Sequence, residues 1–89
     1  MNINDTLHER GKRYGEFEDH ADISQTLKFM MKQRDGWHRL EADQCEALEM
    51  IAHKIARILN GDPNYDDSWH DIAGYATLVA ERLRKENGL

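Results

Sequence analysis

Cysteine, proline and long apolar runs are nearly absent from this 89-residue sequence, which has one cysteine and one proline. A single cysteine excludes an internal disulfide, and a lone thiol is typical of a reducing compartment, so we expect a cytoplasmic protein. No stretch approaches the roughly 20 apolar residues of a membrane-spanning helix, and we expect no membrane association. The first ten residues also lack the apolar run of a signal peptide.

Cations are outnumbered as well, with 12 lysines and arginines against 17 acidic residues and a formal net charge of −5. Nonspecific binding to DNA or RNA needs a positive surface, so we expect no direct nucleic-acid binding. An acidic surface would instead suit docking on a basic protein.

Apolar residues recur at helical spacing, which predicts an all-α fold in a single domain spanning residues 1–89. Residues 1–16 form a polar N-terminal segment, where we expect a short helix that Gly11 ends and a loop over residues 11–16. Three main helices follow, at about residues 17–34, 41–60 and 68–85. The short linkers predict an antiparallel bundle. Three helices leave apolar surface uncovered, so we expect oligomerisation to complete the bundle.

The second main helix has the clearest pattern, an apolar stripe that we expect to be buried. Asn60-Gly61 predicts a left-handed stop after it. We interpret the cysteine of the stripe as a small hydrophobic residue, not a nucleophile. The stripe consists of Cys45, Leu48, Ile51, Ala52, Ile55, Ile58 and Leu59.

Three residues of the flanking helices have specific expectations, and two of them have more than one interpretation. His20 lies on the apolar side of the first main helix, as a core-edge histidine or a ligand. Met30 on the same helix is expected to pack in the core. Gly74 lies within the third, where glycine costs about 1 kcal/mol relative to alanine. We therefore expect a neighbouring helix or a ligand to approach its backbone closely.

Four carboxylates form a candidate metal site. Glu46 and Glu49 lie three residues apart on one helix, and Asp67 and Asp71 lie four apart at the start of the next. Carboxylates from facing helices can bind Mg²⁺, which would hold the phosphates of a nucleotide and activate a water. The alternative for the two glutamates is a solvated helix face.

Asp71 has further alternatives, because an antiparallel hairpin brings it closer to Lys54 and Arg57 than to Glu49. An ion pair with one of these cations would neutralise it. Asp71 could also complete a capping box with Ser68 at the start of its helix.

The cations themselves indicate a second candidate site. Guanidinium and ammonium groups bind phosphate, and tyrosine rings offer stacking surfaces for cations or bases. The alternative is that Lys54 and Arg57 only neutralise nearby aspartates. The candidate nucleotide or phosphate site comprises Arg13, Tyr14, Lys54, Arg57, Asp71 and Tyr75.

Several of these residues lie in segments that resemble an uncharacterised family of small proteins found mainly in phages and prophages. The resemblance covers roughly residues 10–83, and its most specific motif is the last. The segments are Arg13-Tyr14-Gly15, Lys54-Ile55-Ala56-Arg57, and Asp67-Ser68-Trp69 followed by Asp71-Ile72-Ala73-Gly74-Tyr75-Ala76.

The helical layout also resembles the all-α nucleoside triphosphate pyrophosphatases of the MazG type. Those enzymes bind Mg²⁺ through a Glu-x-x-Glu pair on one helix and a Glu-x-x-Asp pair on the next. Glu46-Ala47-Leu48-Glu49 matches the first pair, and the second is missing. The resemblances imply a phage accessory protein that binds a nucleotide or phosphate. The alternative is a non-enzymatic acidic protein that binds a host factor.

Overall fold

The structure, a computed structural model, describes residues 2–88 and confirms the all-α prediction over that part of the chain. The described residues form four α-helices, one more than the three main helices expected. The helices are α1 Ile3–Tyr14, α2 Phe17–Lys32, α3 Ala42–Asn60 and α4 Asp67–Glu86, with a 3-10 helix Asp35–Arg39 between α2 and α3.

The additional helix is α1, and it corrects the predicted short helix and loop. Asn2 caps α1 by accepting a hydrogen bond from the backbone N–H of Asp5 at 2.9 Å. The helix continues through Gly11, because a glycine inside a helix weakens it without ending it. The ion pair between Glu9 and Arg13, at 2.8 Å, spans this glycine.

The helices α3 and α4 form the antiparallel hairpin that the short linker predicted. Lys54 Nζ lies 2.8 Å from Asp71, and at the other end Asp43 lies 2.6 Å from Arg82. The order of contacts runs in opposite directions along the two helices. The ion pair predicted for Asp71 is therefore confirmed.

The predicted capping box at the start of α4 is wrong. The helix begins at Asp67, and no side chain caps its first N–H groups. The capping box lies instead at the start of α3, where the side chains of Glu41 and Gln44 bond reciprocally to the backbone. Asp71 is unavailable for capping because its carboxylate faces Lys54.

The core is thin, which corrects the prediction that the stripe on α3 is buried. Within the part of the chain that the structure describes, the buried apolar residues are three alanines, Ala47, Ala52 and Ala56. The larger stripe residues Leu48 and Leu59 are exposed, by 40% and 67%. A periodic stripe shows which side chains share a face, but the chain does not supply enough helices to cover this one.

The packing prediction for Met30 is wrong for the same reason, and no helix of this chain approaches Gly74, whose contact with a ligand stays a prediction. Met30 is 61% exposed on α2. Gly74 is exposed on α4, and a Cβ atom added there would meet no atom within 4 Å. Within the described residues, no helix is both long and apolar enough to cross a membrane.

Candidate functional site

The turn between α1 and α2 contacts the end of α3, and we call this contact the junction (residues 13–16 and 60–62). The Asn60 side-chain amide donates to the backbone carbonyls of Tyr14 and Glu16, each at 2.9 Å. The backbone N–H of Asp62 donates to the carbonyl of Arg13 at 2.7 Å. These bonds fix the position of α1 relative to α3.

Two glycines allow this close approach, for different reasons. Gly15 has φ +77°, which glycine adopts readily, and a Cβ there would also overlap Asn60. Gly61 has φ −129°, so the predicted left-handed stop is wrong. Any residue can adopt that angle, but a Cβ on Gly61 would overlap the backbone of Arg13 and Tyr14. Glycine is therefore needed at position 61 for space.

Aromatic rings and guanidinium groups stack beside the junction. The Arg57 guanidinium lies 4.2 Å from the centre of the Tyr14 ring, and that of Arg13 lies 4.3 Å from the centre of the Tyr65 ring. The Tyr14 hydroxyl donates to Asp67 at 3.3 Å. Burial, followed by the negative charge of Asp67, raises the pKa of Tyr14. The cluster joins α1, α3 and the start of α4.

A histidine pair lies between α2 and α3. His20 is 5% exposed, in agreement with its interpretation as a core-edge histidine, and its Nε2 lies 3.3 Å from Nδ1 of His53. Burial, followed by the positive charge of Arg57, lowers the pKa of His20. Burial, followed by His20, lowers the pKa of His53 to about 4. Both rings are therefore neutral at pH 7.

The junction and the histidine pair form one side of a cleft of about 800 Å³ between α1, α2 and α3. This volume falls in the range of small-molecule sites. Apolar and aromatic side chains line it, including Phe17, whose ring is 78% exposed. Glu16 is its single carboxylate. Its basic and histidine residues are His8, Arg10, Lys12, His20, His53 and Arg57.

The six residues of the predicted phosphate site do not share this cleft. Tyr14 and Arg57 line it, whereas Arg13 stacks on Tyr65 and pairs with Glu9. The predicted set is thus divided between the cleft and the hairpin.

The remaining members of that set belong to the hairpin. Lys54 is 8% exposed and paired with Asp71, and its ammonium lowers the pKa of that carboxyl group. Tyr75 and Asp71 line a separate shallow groove on α4.

The comparison with known families identifies a family for this chain but no activity. The model of a domain of unknown function, DUF6378, matches residues 3–83. The chain belongs to this family. Searches among curated proteins and among solved structures return no match. The prediction of an uncharacterised family is confirmed to this extent.

The carboxylates proposed for Mg²⁺ do not assemble in the DUF6378 fold of a single chain. Glu49 pairs with Lys32 at 3.0 Å, Asp71 pairs with Lys54, and Asp67 accepts the Tyr14 hydroxyl. Glu46 is exposed. The described part of the chain has no group of three His, Cys, Asp or Glu side chains that could hold a metal ion. These residues as placed do not fit the ion, and Mg²⁺ binding stays a prediction.

Sequence reasoning missed three features of the cleft and of the junction beside it. The first is Phe17, which looks like an ordinary helix-start residue. The second is the pairing of His53 with His20, since the sequence does not show that the faces of α2 and α3 carrying these residues meet. The third is Asn60, whose amide bonds the turn instead of only ending a helix. The available signal for a basic cleft was the presence of Arg10 and Lys12 just before Tyr14 at the turn.

Proposed function

We propose that this domain binds a phosphate-bearing small molecule of the nucleotide class in the cleft between α1, α2 and α3. The observation that carries the proposal is the local reversal of charge: the chain has a net charge of −5, but three cations and one carboxylate line the cleft. Cations in a partly enclosed cleft attract anionic ligands and concentrate them.

Arg57 is the central phosphate ligand in this proposal. Its guanidinium rests on the Tyr14 ring and has no carboxylate partner within the part of the chain that the structure describes. A guanidinium held by stacking keeps its N–H donors free for a phosphate, which it binds in a two-pronged geometry. Arg10 and Lys12 add positive charge from α1.

Phe17 is the surface on which a base would stack. One face of the Tyr14 ring is covered by Arg57, and the Tyr65 ring meets it edge-on with 6.3 Å between centroids. Phe17 is exposed and lines the same cleft. Aromatic stacking contributes about 1–3 kcal/mol per base in other nucleic-acid sites.

Thermal unfolding with a panel of ligands tests this proposal. We expect ATP, ADP and inorganic phosphate to raise the Tm and adenosine to have less effect, since a ligand at 100 times its Kd stabilises a protein by about 2.7 kcal/mol. Arg57→Ala should abolish the ligand-dependent rise. Arg84→Ala, an exposed site in the last turn of α4, should retain it. A wild-type Tm that no phosphate compound changes would contradict the proposal, as would an Arg57→Ala variant that responds like the wild type.

The proposal follows the resemblance to MazG-type pyrophosphatases in placing the protein among phage accessory proteins in a host cytoplasm. It extends to binding and not to hydrolysis, because the lysine-paired carboxylates do not form a magnesium site in one chain.

A second candidate is a non-enzymatic protein that docks on a basic host factor. The supporting observation is a set of exposed acids on the first half of α2, namely Glu18, Asp19 and Asp22. Association of this kind weakens as salt is added. A pull-down from host lysate at low and high salt tests it, and recovery of nothing above background would count against it.

We also propose that the domain works as an oligomer. Among residues 2–88, ten large apolar side chains are exposed in the single chain, from Ile3 on α1 to Leu78 on α4. Contiguous apolar surface on a small protein is typical of an interaction site.

A further inference from the structure

Three apolar residues on one face of α3 are exposed to solvent. Leu48, Ile55 and Leu59 are 40%, 36% and 67% exposed. At 100° per residue they fall within about 40° of one another around the helix. They form a continuous stripe, not scattered surface residues.

The faces of α3 on either side of this stripe already contact other helices. His53 on one side contacts His20 of α2, and Lys54 on the other contacts Asp71 of α4. The stripe lies between these two contacts. Arg57 is nine residues from Leu48, which places it about 180° around the helix. The stripe therefore faces away from the cleft.

The second helix of the hairpin extends this surface. The ion pairs of the hairpin lie on one side of α4, since Asp71 and Arg82 are eleven residues, or about 20°, apart. Trp69 and Ala76 lie about 140–160° from Asp71 on the same helix, and both are exposed. The hairpin thus has a side closed by ion pairs and an apolar side, defined as Leu48, Ile55, Leu59, Trp69 and Ala76.

The whole chain exposes more surface than a compact monomer of its mass, by an amount comparable with a protein interface. The accessible surface is 6666 Å², whereas a compact monomer of 10.4 kDa would have about 5,400 Å². The excess of roughly 1,300 Å² compares with about 800 Å² per partner in a stable complex. The radius of gyration, 15.3 Å, likewise exceeds the roughly 12 Å of a compact chain of this length.

The chemistry of the stripe favours an identical partner. The stripe residues themselves are uncharged, so the stripe has no charge that would select a different protein. Among the described residues, the buried apolar core of the chain is limited to three alanines. A chain with so little core needs its partner whenever it is folded, and a second copy is always present at the same concentration. A two-fold axis would bring the same apolar patch of both copies together.

We infer that two copies of this chain pack through the apolar side of the α3–α4 hairpin, stripe against stripe. This inference rests on the proposed oligomer and adds the surface that forms it. Because the stripe and Arg57 lie on opposite sides of α3, the dimer leaves both clefts open to solvent.

Sedimentation equilibrium of the full chain tests the surface, with Leu59→Glu against the matched variant Leu78→Glu. Both leucines are about two-thirds exposed, but Leu78 lies about 180° around α4 from Trp69. We expect Leu59→Glu to raise the dimer Kd at least 100-fold and Leu78→Glu to leave it unchanged. Circular dichroism establishes that each variant is folded.

The outcomes separate the surface from the oligomer. If Leu59→Glu stays as dimeric as the wild type, or Leu78→Glu dissociates instead, the surface is wrong and the oligomer stands. If the wild type is monomeric at every concentration, both are wrong, and ligand binding in the cleft is unaffected.

A second measurement covers the case in which Leu59→Glu does not fold. Ile55→Cys and Leu78→Cys, each in a Cys45→Ser background, are oxidised under identical conditions. Rapid disulfide dimers of Ile55→Cys alone support the surface, and rapid dimers of Leu78→Cys alone, or none, overturn it.

Discussion

The junction and the apolar side of the hairpin both involve α3, but they are completed by different means. At the junction, Asn60 bonds two carbonyls of the α1–α2 turn and Gly61 contacts its backbone. On the apolar side, Leu59 stands one residue earlier and is 67% exposed. The chain therefore fixes its own topology through directional and close backbone contacts. Its apolar side chains stay in water unless another molecule covers them.

The largest change that breaks this contrast is Gly61→Ala. Backbone atoms of Arg13 and Tyr14 occupy the space of the new methyl group and cannot rotate away as a side chain could. We expect a loss of about 3 kcal/mol in unfolding free energy, toward the upper end of overpacking effects. Thermal and urea unfolding measure it.

Gly36→Ala is the control for that variant, because its methyl group would meet only the end of the Arg39 side chain at 3.6 Å. If Gly61→Ala unfolds within 0.5 kcal/mol of the wild type, the junction is less tightly packed than the structure indicates.

The sequence predicts the two regions to different extents. Helical periodicity located α2, α3 and α4, and linker length placed Asp71 near Lys54, because both depend on local geometry. Periodicity could not show that Leu59 is uncovered, since it groups residues on a face without stating what covers that face. The need for Gly61 depends on a segment 47–48 residues away, and the sequence alone cannot reveal that contact.

The residues of the cleft likewise include some that the sequence predicted together and some that it did not. Arg57 and Tyr14 were predicted together and do stack at 4.2 Å. Phe17 and His20 enter the cleft only because α1 is a helix that ends at Tyr14, and reading Gly11 as a stop concealed this. The interpretation of Gly11 as a helix stop therefore hid the contribution of α1 to the cleft.

The ion pair between Lys54 and Asp71 lies on the opposite side of the hairpin from the apolar side, and its two groups differ in burial. Asp71→Ala would leave the Lys54 ammonium buried without its partner, whereas Lys54→Met would leave a carboxylate whose side chain is 33% exposed and can be hydrated. We expect the first substitution to lower the free energy of unfolding more than the second, because an unpaired buried ammonium is worse than a hydrated carboxylate. Urea unfolding of both variants measures the difference, and equal losses would contradict it.

Acid sensitivity tests the histidine pair beside the junction. Both folded-state pKa values lie below the usual 6.5, so the unfolded chain binds more protons between about pH 4 and 6.5. Stability from this pair is complete above pH 6.5 and is lost as the pH falls toward 4. Because His53 is partly exposed, we expect roughly 1 kcal/mol between pH 7.5 and 5.

Tm measured across that range gives the wild-type slope, and His53→Gln should flatten it. Comparing the two proteins removes the effects of overall net charge that they share. The aspartates Asp43 and Asp71 act in a lower window, because their pKa values are lowered from 3.8. Identical slopes for the two proteins would contradict a neutral buried pair.

The smallest expected effect, at Gly74, decides how far the uncovered surface extends. Alanine is favoured over glycine in a helix by up to about 1 kcal/mol, and nothing in the chain lies within 4 Å of the added methyl group. Gly74→Ala should therefore raise the Tm by a few degrees. Gly74 lies about 140° from Trp69 around α4, so the variant should leave the dimer Kd unchanged. If sedimentation shows a weaker dimer instead, a second molecule contacts the α4 backbone there, and the interface includes the face that our assignment leaves in solvent.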